Sequence, residues 1–69
     1  MDAQQWTEGF AGGLGLEAPD QAQFDEILKL AAVAAHASER TAAPIACYLA
    51  GVSGRPLSEL IALAEGFEK

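Results

Sequence analysis

LKLAAVAAHASERTAAPIACYLAG, residues 28–51, decides how this chain folds. Leu28 to Ala37 repeats apolar residues at helical spacing. Ser38-Glu39-Arg40-Thr41 is a polar interruption, and Pro44 follows it. Proline lacks a backbone N–H and clashes inside a helix, but it is tolerated in a first turn, where that N–H has no partner anyway. The stretch therefore predicts one helix, a tight corner, and a second helix started at Pro44 with Thr41 as its N-cap.

Working outward, the helix before the corner spans about Gln21 to Ser38. Asp20 is placed to cap it, with Gln23 three residues on completing a capping box. Phe24, Ile27, Leu28, Ala31 and Ala35 form its expected buried stripe, widened by Leu30, Ala34 and Ala37. A helix apolar over so much of its circumference is a central one. Asp25, Lys29, His36 and Arg40 mark the opposite, polar side, with Val33 beside them. Asp25 and Lys29, four apart, are expected to pair.

After the corner, the third helix runs to about Gly51 with Ile45, Tyr48, Leu49 and Val52 expected inward. Cys47, Ala43, Ala50 and Gly51 form a second, flat face suited to close helix contact. Val52 to Arg55 is a link, and Pro56 opens a fourth helix to about Phe67. Its expected core face is Leu57, Leu60, Ile61, Ala64 and Phe67, and Glu65 is placed to pair with Lys69.

At the other end, Asp2 caps a first helix reaching Leu14, with Ala3, Trp6, Phe10 and Gly13 on one side. The glycines at 12, 13 and 15 stop it. Gly9 suggests close approach of a neighbouring helix, and Leu16 is expected to fold back onto the core. The Gly-Leu-Gly here ends a helix, rather than joining a strand to one, and no lysine follows it, so it is not a phosphate loop. The fold class is all-α, a four-helix antiparallel bundle in a single domain over residues 1–69.

Bulk composition bounds the function. A chain of 69 residues buries little surface and is marginal without a staple. One cysteine and one histidine provide neither an internal disulfide nor a metal cluster. The expectation is accordingly no cofactor and no metal. The net charge of −6, with six acids and no Lys or Arg in the first 26 residues, disfavours nucleic acid and anionic membrane. No apolar run reaches a membrane span, and MDAQQW has no basic, signal-like opening. The expected location is the cytoplasm with a reduced thiol.

The polar constellation is His36, Glu39 and Arg40 with Cys47 and Tyr48. One reading makes His36, Glu39, Arg40 and Tyr48 a binding site for an anion, small molecule or partner. The other has Glu39 and Arg40 serving the helix end and the turn, since basic groups suit helix C-termini. Thr41 and Pro44 are structural corner residues in both. A His36–Cys47 catalytic pair is disfavoured, because the two lie on unrelated faces and catalysis needs a sizeable pocket. Trp6, Phe10, Phe24, Tyr48 and Phe67 fall at core spacing, with the Tyr48 hydroxyl expected to find a partner at the corner. Leu30, Leu63, Val33 and the Cys47 face leave more apolar surface than four short helices hide, which suggests a partner or homodimer seam.

Leu30-Ala31, Ala35-His36-Ala37, Glu39-Arg40, Ala42-Ala43-Pro44-Ile45 and Tyr48-Leu49-Ala50-Gly51 together carry a family pattern. They resemble the small actinobacterial-type domain of unknown function found alone or fused to molybdenum-cofactor guanylyltransferase, the MobA-like enzyme. Trp6 and Gly13-Leu14-Gly15-Leu16 match its opening. Thr41 stands where that pattern has proline. The resemblance implies a link to molybdenum-cofactor maturation or to a molybdoenzyme such as formate dehydrogenase. It implies no catalytic activity in this segment, because nucleotidyl transfer belongs to the fused partner. The resulting expectation is a non-enzymatic accessory module that binds a protein.

Overall fold

The computed structural model describes residues 1–67. Its four helices are α1 (Ala3–Leu14), α2 (Gln21–Ala37), α3 (Ala42–Ser53) and α4 (Leu57–Glu65). The described residues contain no strand. Helix α2 is the centre, packing against both α3 and α4 in a small helical bundle. The expected Glu65–Lys69 pair lies outside the described residues.

Capping explains where α1 and α2 begin. Asp20 Oδ1 accepts from Gln23 N at 2.8 Å, and Gln23 Oε1 accepts from Asp20 N at 3.2 Å. The same reciprocal box joins Asp2 and Gln5. Each satisfies two backbone N–H groups that have no partner inside the helix. Helix α1 stops where Gly15 adopts φ 74°, a left-handed conformation that costs glycine little. The Leu16 N–H then closes the end on the Ala11 carbonyl at 2.9 Å. Its side chain stays exposed instead of folding back, and no atom approaches the open side of Gly9. Both expectations for this region are therefore corrected.

The corner after α2 is held by the backbone. The Ala42 and Ala43 N–H groups donate to the carbonyls of Glu39 and Arg40 at 2.9 and 3.1 Å. Thr41 occupies the N-cap position, but its backbone is already helical, and its hydroxyl caps nothing. Pro44 sits in the third helical position, where a missing N–H costs little. The helix thus begins two residues before the proline.

The core is small. Among the described residues, Ala11, Leu30, Val33 and Ile61 are the buried apolar ones, and no large side chain is fully buried. The centre of α2 is rotated roughly a quarter turn from the expected stripe, at 100° per residue. Leu30 and Val33 are buried, Phe24, Ile27, Ala31 and Ala35 are half-buried, and Leu28 is exposed. The reason is that α3 and α4 both dock on the Leu30–Val33 flank. Phe24, Ile27 and Leu28 border a groove shared with Thr7 of α1, which is fastened more lightly. Gln4 Nε2 donates to Gln21 Oε1 at 2.6 Å across that junction.

Looseness shows in the dimensions. The accessible surface is 5208 Å², whereas a folded monomer of 7.2 kDa has about 4,100 Å². The radius of gyration is 12.5 Å, against about 11 Å for a compact chain of this length. More surface is in water than a closed monomer of this mass leaves there.

Candidate interaction surface

Helix α3 carries one share of the exposed apolar surface, and the α1 region carries another with Trp6, Phe10, Leu14 and Leu16. Helix α3 has two apolar faces at the same helical spacing, on opposite sides. Ala43, Ala46, Cys47 and Ala50 are half-buried, on the side that packs against α2. Ile45, Tyr48, Leu49 and Val52 are 60%, 69%, 59% and 67% exposed. The expected orientation is inverted, because small side chains allow the two helix axes to approach closely. Larger residues on that face would have held α3 away from α2.

The exposed row does not stand alone. Leu63 and Phe67 of the α4 region are also exposed, and they share an open apolar groove of ≈ 410 Å³ with Leu49, Ala46 and Leu60. Phe67 is thus a groove residue and not part of the core. At the far end of the chain, Trp6 and Phe10 stack with ring centroids 5.0 Å apart and planes 22° from parallel, both exposed. Of the five aromatic residues only Phe24 is even half-buried, which corrects the reading of the aromatics as core. Leu30 and Val33, expected to be surplus, are buried, while Leu63 is exposed as expected.

The polar constellation is spread out. His36 lies in the last turn of α2, and Glu39 and Arg40 follow in the corner, all three exposed. Tyr48 sits on the outer face of α3, exposed to solvent. Cys47 is on the inner face, its Sγ 4.0 Å from the Ile27 carbonyl oxygen. Ile27 and His36 are nine residues apart on one helix, about 13 Å along its axis. Burial pushes the Cys47 thiol up from its ordinary value, away from the reactive thiolate. An open groove of ≈ 470 Å³ runs beside it, lined by Ile27, Leu30, Ala50, Gly54, Arg55 and Leu57 among others, without His36, Arg40 or Tyr48. Among the described residues, no group of three His, Cys, Asp or Glu is arranged to hold a metal ion.

Two charge contacts differ from expectation. Asp25 accepts a hydrogen bond from Gln21 Nε2 at 2.8 Å where a Lys29 pair was expected. Arg55 pairs with Glu59, one turn on, a contact that the i,i+4 spacing signals and the sequence reading passed over. Both partners are about half exposed, so the pair contributes little to stability. Ser53 Oγ organises the turn between α3 and α4, donating to the Ala50 carbonyl at 2.8 Å and accepting from Arg55 N at 3.1 Å. Gly54 follows with φ 68° and lets the chain reverse into α4.

No helix among the described residues is long and apolar enough to cross a membrane. No curated protein and no solved structure matches the chain. The resemblance noted from the sequence holds at the level of a domain of unknown function; the host type and the guanylyltransferase fusion form no part of that match. With a match over residues 1–65, the chain belongs to the family described as Domain of unknown function (DUF6457).

Proposed function

We propose that this chain is a non-catalytic interaction module that presents apolar helix faces to a protein. The supporting observation is the row Ile45, Tyr48, Leu49 and Val52, left in water while the small side of the same helix packs inward. Exposed apolar patches on so small a chain mark interaction sites. The stacked Trp6 and Phe10 on α1 supply a second patch, of the residue types that anchor interfaces. The half-buried thiol, its proton held more tightly than usual, and the solvent-facing His36 favour binding over catalysis. Within this reading the partner belongs to molybdenum-cofactor handling, as the resemblance of the Leu30–Gly51 stretch implies.

Gentle co-purification of tagged chain from its native host tests the proposal. The expected result is recovery of a protein of molybdenum-cofactor maturation or a molybdoenzyme. A double variant, Trp6→Glu with Leu49→Glu, should lose it. Recovery of no such protein, or equal recovery by the double variant, contradicts the proposal.

A further inference from the structure

We infer that the outer face of α3 is a self-association seam on which a second copy of this chain docks antiparallel. The inference rests on the interaction-module reading and names one partner for it. Three observations carry it.

The first is charge. Each copy carries −6, so two copies meet with least repulsion through a surface without acids. Helix α3 has no Asp, Glu, Lys or Arg from Ala42 to Ser53. One acid and one base flank each end, Glu39 with Arg40 and Arg55 with Glu59. Antiparallel pairing therefore sets a neutral end against a neutral end, and opposed helix dipoles favour it.

The second is spacing. Ile45, Tyr48, Leu49 and Val52 follow one another at intervals of three, one and three, which read the same in both directions. A two-fold axis between Tyr48 and Leu49 sets Tyr48 of one copy against Leu49 of the other, and Ile45 against Val52. A two-fold interface requires such a self-complementary patch.

The third is area. The surface is 5208 Å², an excess of about 1,100 Å² over a closed monomer of this mass. A stable interface removes about 800 Å² from each partner. Leu63 and Phe67 border the same groove as Leu49 and extend the seam onto α4. The excess is that of the whole chain, shared with Trp6, Phe10, Leu14 and Leu16 on the α1 side; the seam's part of it lies on Ile45, Tyr48, Leu49, Val52, Leu63 and Phe67.

Sedimentation equilibrium of the full chain, from micromolar to near-millimolar concentration, tests the seam. The expected result is a monomer–dimer equilibrium. Leu49→Glu and Tyr48→Lys should each weaken it about 100-fold or more, because each buries an unpaired charge. Mixing the two variants should restore a heterodimer, since the introduced lysine of one copy then meets the introduced glutamate of the other. Circular dichroism of each variant should retain the wild-type helix content, because both positions are exposed in the monomer. A wild-type monomer throughout the range overturns the seam, as does a dimer indifferent to both variants or a mixture that stays monomeric. Partner capture separates this failure from that of the parent reading. A monomer that still captures a partner, and loses it in the Trp6→Glu, Leu49→Glu double variant, sinks only the seam. A monomer whose capture the double variant leaves unchanged sinks both.

Discussion

The two sides of α3 are both apolar and both regularly spaced, yet one is packed and the other is in water. Alanine and cysteine line the side against α2, and isoleucine, tyrosine, leucine and valine line the side that faces away. The contrast shows that hydrophobicity alone does not choose the inward face of a helix that is apolar all round. Side-chain size chooses it, because close axis approach lets backbone and Cβ atoms make many short contacts at once. The large residues then remain available for a partner.

The sharpest way to break this comparison is a truncation inside the core set against one on the outer row. Leu30 is 3% exposed on α2, and Leu30→Ala should cost about 2–5 kcal/mol, enough to unfold much of a small domain. Leu49→Ala should change monomer stability by less than about 0.5 kcal/mol, the usual effect of a surface change. Urea melts at low micromolar concentration read both. Equal costs would show that Leu49 is core.

A charge placed on either side sharpens the same point. Cys47→Asp should destabilise by about 2 kcal/mol, because it puts a carboxylate against α2 without a partner. Leu49→Asp should leave the thermal midpoint of the dilute chain nearly unchanged. The two Asp-started capping boxes differ in a comparable way. Asp20→Ala should cost about 1 kcal/mol of global stability, since α2 holds the bundle together. Asp2→Ala should fray α1 and leave the main unfolding transition in place, because α1 is only lightly fastened.

The smallest expected effect is on pH dependence. The folded thiol of Cys47 binds its proton more tightly than the unfolded one, whose ordinary value is 9.0. Stability from this source is complete below that pH and is lost as pH rises through the folded value, since the unfolded state gives up its proton first. Cys47→Ala should remove this alkaline decline in denaturant midpoints measured from pH 8 to 10.

Much of the fold was legible from the sequence. Four helices, the Asp20–Gln23 box, the glycine stop after Leu14 and the central place of α2 all follow from local spacing and capping chemistry, which act within a few residues. The facing of α3 was not legible, because periodicity marks two equally apolar stripes and cannot weigh closeness of approach. The rotation of α2 toward Leu30 and Val33 has the same origin, since it depends on where α3 and α4 dock. Val33 looked misplaced beside Lys29 and His36 for that reason. The corner carried a signal at Pro44, but the backbone bonds from Ala42 and Ala43 replace the side-chain cap that Thr41 suggested. The excess of apolar residues over what four helices hide was visible in composition. Which residues form that excess became visible only in three dimensions.

Solvent paramagnetic relaxation by a soluble gadolinium chelate, read at side-chain protons of the dilute chain, tests the inverted facing of α3 most directly. Strong broadening of Ile45, Tyr48, Leu49 and Val52, with the methyls of Ala43, Ala46 and Ala50 spared, is the predicted pattern. Broadening of the alanine face with the large row protected in the dilute monomer would contradict the account.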